Sequence, residues 1–494
     1  MKISFLKKQK VFVSIVFFLG VITIFASYAP NELNSILLKI KNFIFDYFAW
    51  SYVLFTSFFL FMLLYLVFSK YGAVVLGGAT SKPEFSFLTW LSMLFSAGMG
   101  IGLMYFGVAE PIMHFSSPIS NGKAENALLH TIFHWALHPW AIYGVLALII
   151  SFFSYKQNLP LSLKSILFPI FKNRINGALG VFVDIITILA IVFGLITTFA
   201  LGSSQLNSGL LYLGILDSAN LITQFTIILT VSIIACISSF TGINSGVRKL
   251  SNLNFFLALF LLAVFIYFSG KIVFSFFLEN FGYYLNNLFK LSFSTFAYDG
   301  QHAEWFKSWT LFYWAWWVSW APFVALFIAR ISKGRTIREF ILGVLIAPSL
   351  LALLWFTVFG NTAISIDVMN NGVLSAFSKS PDILLFKFFE FFPLSTPITA
   401  VSMMIVFLFF ITSIDSGILV LNHLTFGQSD RVSYIQSLFW VSVFVFLTTV
   451  LLITGGVNAI QNLVIIIALP LLFFMFFSCI LFLFTLIKNE FKRE

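Results

Sequence analysis

The chain has 494 residues, 60% of them hydrophobic and 9% charged, with a mean hydropathy of +1.01. Soluble domains carry about 25% charged residues, so this composition excludes one and implies a polytopic membrane protein. A net charge of +10 could suggest a nucleic-acid partner, but the placement of the cations along the chain points to a lipid bilayer instead.

The chain opens with Lys2, Lys7, Lys8 and Lys10 ahead of an apolar run over 11–29 that ends Ala26-Ser27-Tyr28-Ala29. This imitates a secretory signal, yet the length of the run and the sidedness of every later loop favour an uncleaved first span. Stretches of about 20 apolar residues, the length that crosses a hydrocarbon core, follow at 50–69, 86–109, 130–154, 177–204, 220–242, 253–275, 306–331, 338–360, 396–424, 433–454 and 458–487. Twelve spans are predicted. With the amino terminus inside, twenty of the 28 lysines and arginines fall in inside segments, among them all seven arginines. That is the positive-inside asymmetry, and it makes both termini cytoplasmic. Cys236 and Cys479 both lie in apolar spans, so no disulfide framework is implied. Most of the 67 phenylalanines read as lipid-facing or packing surface.

The third span contains Ser96-Ala97-Gly98-Met99-Gly100-Ile101-Gly102. Each of its three alternate glycines costs about 1 kcal/mol of helix propensity relative to alanine. Backbone groups freed at membrane depth survive only where protein or a polar cavity satisfies them. The spacing therefore predicts a discontinuous helix that turns peptide groups toward a substrate or an ion. A small-residue packing face is the alternative, but a spacing of two scatters the glycines around the helix.

The fourth span carries Trp135, Trp140 and Tyr143, with Pro139 expected to break the regular turn between the tryptophans. His130, His134 and His138 share one helical face, a spacing that could hold a metal, with Glu110 and Glu125 as the nearby acids. After the seventh span, Phe274–Phe296 mixes aromatics with Glu279, Asn280, Asn286 and Asn287 and reads as a helix on the external interface. The eighth span packs Trp309, Trp314, Trp316, Trp317 and Trp320 into twelve residues. Trp316, Trp320 and Phe323 make a stripe at i, i+4 and i+7, with Trp317 on a neighbouring face. Convergent aromatics without acids suit a quaternary ammonium, which has no N–H to donate and binds by cation–π attraction, up to about 2 kcal/mol per desolvated ring. A packed aromatic core is the other reading. The third and eighth spans lie five helices apart and so run in opposite directions, as an inverted five-plus-five repeat requires; the first two spans are then extra. The tenth span holds Phe409, Thr412, Ser413, Asp415 and Ser416. Adjacent hydroxyls in an apolar helix usually bond back to their own backbone. Asp184 and Asp415 are functional suspects because they are intramembrane acids.

Three long motifs now stand together: Gly98-Met-Gly-Ile-Gly102 running on to Glu110-Pro111, His134-Trp135-Ala-Leu-His138-Pro139-Trp140, and Tyr313-Trp-Ala-Trp-Trp-Val-Ser-Trp320 continuing through Arg330 and Arg335 to Arg338. They resemble the betaine/choline/carnitine transporter family over essentially the whole chain. The resemblance implies an all-α membrane protein with a LeuT-like inverted repeat, a bacterial inner-membrane location, usually homotrimers, and secondary transport of an onium osmolyte rather than enzyme chemistry. It implies segments 1–85 (two extra helices), 86–275 (first repeat), 276–305 (external interfacial region), 306–487 (second repeat) and 488–494 (short tail).

By that resemblance Trp135, Trp140, Tyr143 and Trp317 form a central aromatic box, and Trp316 and Trp320 are inner-side aromatics. Met99 and Gly100 meet the substrate carboxylate; free amides there suit an anion on chemical grounds too. Ser96, Met99, Phe409, Thr412 and Ser413 resemble a sodium site, with Phe323 as an aromatic partner at a second one. That second site uses paired threonines, where this chain has Ile191 and Leu195, with Thr197 and Thr198 just beyond. Choline carriers of the family tend to carry Asp where this chain has Gly102, which favours a zwitterion such as glycine betaine. Choline, carnitine and other onium compounds stay open, as do proton coupling and exchange. The short tails imply an uptake not strongly gated by osmotic stress. No cofactor is expected beyond sodium as coupling ion. An ion channel would need a polar stripe and rings of charge, and an enzyme a nucleophile–base pair; the sequence offers neither.

Overall fold

The computed structural model describes residues 2–78, 80–98, 100–240, 248–426 and 434–490. Met99, expected at both the substrate and the sodium site, lies outside them, and of Ser96 only the helical backbone is described. The first half of the chain forms α1 (Lys2–Tyr28), α2 (Pro30–Phe68), α3 (Phe87–Gly98), α4 (Ile101–Phe115), α5 (Ala124–Trp135), α6 (Leu137–Gln157), α7 (Phe168–Phe171), α8 (Ala178–Tyr212) and α9 (Leu221–Phe240). The second forms α10 (Arg248–Ser269), α11 (Ile272–Ser292), α12 (Gly300–Phe306), α13 (Phe312–Ile331), α14 (Ile337–Phe356), α15 (Thr362–Met369), α16 (Pro381–Phe389), α17 (Ser395–Phe426) and α18 (Tyr434–Glu490).

Among the described residues, ten helical segments are long and apolar enough to cross a membrane. They differ from the twelve predicted spans in two places. The predicted third span is split into α3 and α4, each too short alone. The predicted eleventh and twelfth are merged in α18, whose helix is interrupted at Gly455 (φ −159°, ψ 21°) and Gly456 (φ 64°, ψ −156°). The second of these is a left-handed position that glycine occupies without steric cost.

The centre of the molecule is α5–α6 and α13. The most apolar window of 124–156 is wholly buried and that of 300–331 is 89% buried, against 28% for α9 and α10 at the periphery. α4 is buried nearly throughout, from Ile101 to Ile112. On α11, Asn280, Tyr284, Leu288 and Leu291 are buried while Phe274, Leu278, Leu285 and Phe289 are exposed. Asn280 and Tyr284 thus face the protein, while Glu279 and Asn286 stay exposed among the apolar side chains of the outer face.

One end of the centre is locked. Thr336 caps α14 by accepting from the Glu339 amide at 3.1 Å, half of a T-x-x-E capping box. The preceding loop pairs with the loop before α3: the Leu76 amide donates to the Arg335 carbonyl at 2.9 Å, and the Gly334 amide to the Leu76 carbonyl at 2.7 Å. Val75 and Thr336 form an antiparallel bridge. Trp90, in the first turn of α3, donates its indole N–H to Ser332 Oγ at 3.0 Å. The buried Arg335 guanidinium lies 4.1 Å from the Trp90 ring centroid and donates to the Phe85 carbonyl at 2.9 Å. The start of α3 and the end of α13 are therefore one packed unit.

Candidate functional site

Two helix breaks build the centre. The first is the predicted one: α3 stops at Gly98 and α4 begins at Ile101, with Gly100 extended (φ −130°, ψ −154°). A Cβ at Gly100 would meet nothing within 4 Å, whereas one at Gly102 would sit 2.6 Å from Trp135 Cη2 and 3.1 Å from Trp316 Cη2. Gly100 therefore borders open space, and Gly102 is the seat on which two indoles rest. On the opposite side, a Cβ at Gly202 of α8 would lie 2.5 Å from Ile101 Cδ1 and 3.3 Å from Phe410 Cδ1. That brings the break one residue-width from α17.

The second break separates α5 from α6 at Ala136 (φ −94°, ψ −120°). It falls between Trp135 and Trp140, in the turn that Pro139 was expected to break, three residues before the proline itself. A proline ring excludes the carbonyl four residues earlier, here Trp135, but is tolerated in a helix's first turn, so the chain breaks upstream and α6 starts with Pro139 inside its first turn. The break frees polar groups that other elements satisfy. The Leu137 amide donates to the Tyr284 hydroxyl at 3.3 Å, and the His134 carbonyl accepts the Trp317 indole N–H at 3.0 Å. A backbone defect thus aims a box residue.

The expected box rings are in serial contact. Trp135 and Trp317 meet at 5.2 Å and 90°, Tyr143 and Trp317 at 5.4 Å, and Trp140 and Tyr143 at 5.8 Å. Trp316 joins through Trp135 at 6.3 Å. Trp320 does not: it donates to the Gly194 carbonyl of α8 at 2.9 Å and pairs with Phe323 at 5.7 Å. The single stripe expected over Trp316, Trp320 and Phe323 is therefore two groups. Among the described residues, the indole N–H groups of Trp140 and Trp316 are buried with no hydrogen-bond partner, and the contacts that hold those rings are apolar.

The box is not free of acids. Gly102, Phe106, Glu110 and His114 recur at i, i+4, i+8 and i+12 on one face of α4, and this face meets α5 and α13. Trp135 lies along it, its six-membered ring against Gly102 and its Nε1 donating to Glu110 Oε2 at 2.7 Å. The Tyr313 hydroxyl donates to the same oxygen. Glu110 Oε1 faces His134 Nδ1 at 2.8 Å and His114 Nε2 at 3.2 Å. Among the described residues, no lysine or arginine pairs with Glu110, and the carboxyl group is wholly buried. Thr310, in a π-turn at the head of α13, lies 3.0 Å from His134 Nε2.

Glu110, His114 and His134 bring ligand atoms close enough for a metal, but the hydrogen bonds argue otherwise. The Trp305 indole N–H, a donor only, donates to His114 Nδ1 at 3.3 Å. His114 Nδ1 is thus the acceptor nitrogen, so the neutral ring carries its proton on Nε2, pointed at Glu110, with no lone pair there for an ion. His138, expected on one face with His130 and His134, is turned away by the Ala136 break. It meets Ser292 Oγ at 3.2 Å and stacks on Trp314 at 5.4 Å. The four-residue rhythm of Gly102, Phe106, Glu110 and His114 was the available signal for this cluster.

On α17, the Thr412 hydroxyl donates back to the Leu408 carbonyl at 2.9 Å. Its proton is occupied while oxygen lone pairs stay outward, chemistry that fits a hard cation. Ser413 is half-buried beside it. At the register of the second site, Ile191 and Leu195 are buried, and a Cβ on Gly417 would lie 2.4 Å from Leu195 Cδ1; leucine fills that space. Asp184 pairs with Lys164 at 2.5 Å, a structural bond. Asp415 is buried and accepts from Ser238 at 2.7 Å.

Residues 10–491 match the sequence profile of the BCCT, betaine/carnitine/choline family transporters. A protein of Haemophilus influenzae described as an uncharacterized transporter is 48% identical over 91% of this chain and 68% of its own. A glycine betaine transporter of Acinetobacter baylyi is 40% identical over 95% of this chain and 72% of its own. A high-affinity choline transport protein of Escherichia coli is 39% identical over 90% and 67%.

Proposed function

The chain belongs to the betaine/carnitine/choline transporter family, and on that premise we propose that it is a secondary active importer of a quaternary-ammonium zwitterion resembling glycine betaine. In this reading uptake is sodium-coupled and proceeds by alternating access. The observation that carries it is the contact chain Trp135–Trp317–Tyr143–Trp140 beside the break at Gly100. Rings with no hydrogen-bonding demand on the ligand receive the methylated head, and peptide groups freed by the break receive the carboxylate. The carboxylate subsite includes Gly100 and Met99, and the coupling ion takes the oxygens of Thr412 and Ser413 with the carbonyls of Ser96, Met99 and Phe409. Phe323, the aromatic partner at the second ion site, is the weakest ion assignment, because Ile191 and Leu195 stand where that site has threonines.

The same reading takes the chain as twelve spans, with an inverted five-plus-five repeat after two extra helices. It assembles as a homotrimer in a bacterial inner membrane with both termini cytoplasmic. The broken α3–α4 and the break in α18 support the span count, and the sidedness of the cations supports the orientation. Choline is the second reading, favoured by the relatives named for it.

The test is uptake of radiolabelled glycine betaine and choline into proteoliposomes, with external sodium or potassium, for the native chain and Trp317→Leu. Sodium-dependent betaine uptake that Trp317→Leu abolishes is expected. Uptake of choline alone would replace the substrate assignment, uptake equal in potassium would overturn the coupling, and no uptake of either would overturn the reading.

A further inference from the structure

The aromatic box alone does not account for the wholly buried carboxyl group attached to it. Glu110 receives two donors on each oxygen: Trp135 and Tyr313 on Oε2, His134 and His114 on Oε1. Trp305 fixes the tautomer of His114 from behind. For His134, a proton on Nδ1 directed at the carboxylate leaves Nε2 to accept from Thr310. Both imidazoles are then satisfied as neutral rings, and four donors converge on one carboxylate, the pattern that an anion accepts. No ammonium or guanidinium among the described residues pairs with it. The charge is therefore placed, bonded and left for something else to balance.

That something lies across one indole. Trp135 donates to Glu110 through Nε1, and its ring touches Trp317 at 5.2 Å and Trp316 at 6.3 Å. A carboxylate hydrogen-bonded to an indole N–H pushes electron density into the ring and adds its own field at the ring face. Both effects strengthen attraction for a cation on that face.

We propose that Glu110 is the fixed anion of the onium pocket, a positioning residue that acts through Trp135 to make the box select a permanently charged head group over an uncharged one of the same shape. The inference rests on the onium reading above and adds to it the source of charge selectivity. His114, His134, Tyr313 and Thr310 are the scaffold that keeps the anion in place.

The test compares two ligands of nearly equal shape: glycine betaine, and tert-butylacetate, in which carbon replaces the quaternary nitrogen. Purified full-length protein is titrated with each, by tryptophan fluorescence and by competition with radiolabelled betaine. The readout is the ratio of the two affinities. In Glu110→Gln the preference for betaine falls about tenfold, the order expected for losing one charge an indole's width away at intermediate dielectric. His114→Lys is the second variant: an ammonium four residues along the same helix neutralises Glu110 without touching the box, and the same fall is expected. It also stands in if the glutamine amide, which points donors at donors, prevents folding. A ratio unchanged in either folded variant, with both ligands weakened in parallel, means that Glu110 only supports the packing and overturns the proposal. If native protein binds neither betaine nor any other onium compound, the functional reading itself falls, a result recognisable before any variant is made.

Discussion

Gly102→Ala is the most diagnostic single change. The added methyl would stand 2.6 Å from Trp135 Cη2, where 3.4 Å is ordinary contact, so the ring must retreat by about 0.8 Å. It cannot do so freely, because its far end is held to Glu110 at 2.7 Å and its sides to Phe356 at 5.5 Å and Trp317 at 5.2 Å. Overpacking of this kind costs about 1–3 kcal/mol, and replacing glycine in a helix returns about 1 kcal/mol. Stability should therefore fall by no more than about 2 kcal/mol. Binding should suffer more, since displacing one ring of the box forfeits up to about 2 kcal/mol of cation–π attraction, roughly 30-fold in affinity. Tryptophan-quenching titrations with glycine betaine, beside thermal unfolding in the same detergent, separate the two effects. Native affinity in a well-folded Gly102→Ala would refute the placement of Trp135 and Trp316 on this glycine.

Trp317→Phe keeps a ring but loses the N–H that bonds the His134 carbonyl; betaine affinity should drop about tenfold, short of the loss in Trp317→Leu, as read by the same titration. Pro139→Ala removes the constraint that forces the break at Ala136. Helix should grow across residues 135–139, recapture the His134 carbonyl and leave Trp317 unaimed, raising the KM for uptake about tenfold with little change in unfolding temperature. Unchanged uptake kinetics would show that the break does not depend on the proline. Thr412→Ala should raise the sodium concentration for half-maximal uptake about tenfold and leave betaine affinity at saturating sodium within about twofold. Equal effects on both would count against Thr412 as an ion ligand.

What could be read from the sequence was what local physics decides. Three glycines at alternate positions weaken a helix wherever it folds, so the break between Gly98 and Ile101 was visible in advance. That Trp135, Trp317, Tyr143 and Trp140 belong together could be read because the motifs that carry them are long, and the four rings meet in series. The second break was visible too, in the turn between Trp135 and Trp140: a proline acts on the carbonyl behind it, and the chain yields upstream at Ala136. The Glu110 cluster was missed because its donors come from α4, α5 and α13, as many as 203 positions apart for Tyr313. Only the i+4 rhythm from Gly102 to His114 announced that one face of α4 was reserved. His138 looked like a companion of His134 because helical spacing was carried through a break. The split of the Trp316–Trp320–Phe323 stripe depends on which neighbour each ring meets, and α8 supplies the Gly194 carbonyl that claims Trp320.

The lock among Trp90, Ser332 and Arg335 has a mechanical consequence. Two rods tied at both tips cannot splay like the legs of a compass; what is left to them is bowing, largest where one of the rods is cut. The broken rod and the indole-rich rod are tied in this way, by Trp90 and Ser332 where α3 starts and α13 stops and by Glu110 and Tyr313 toward the far end. Relative movement between them would then be a flexing at the cut beside Gly100, and a solute lodged there would feel travel that neither tip makes.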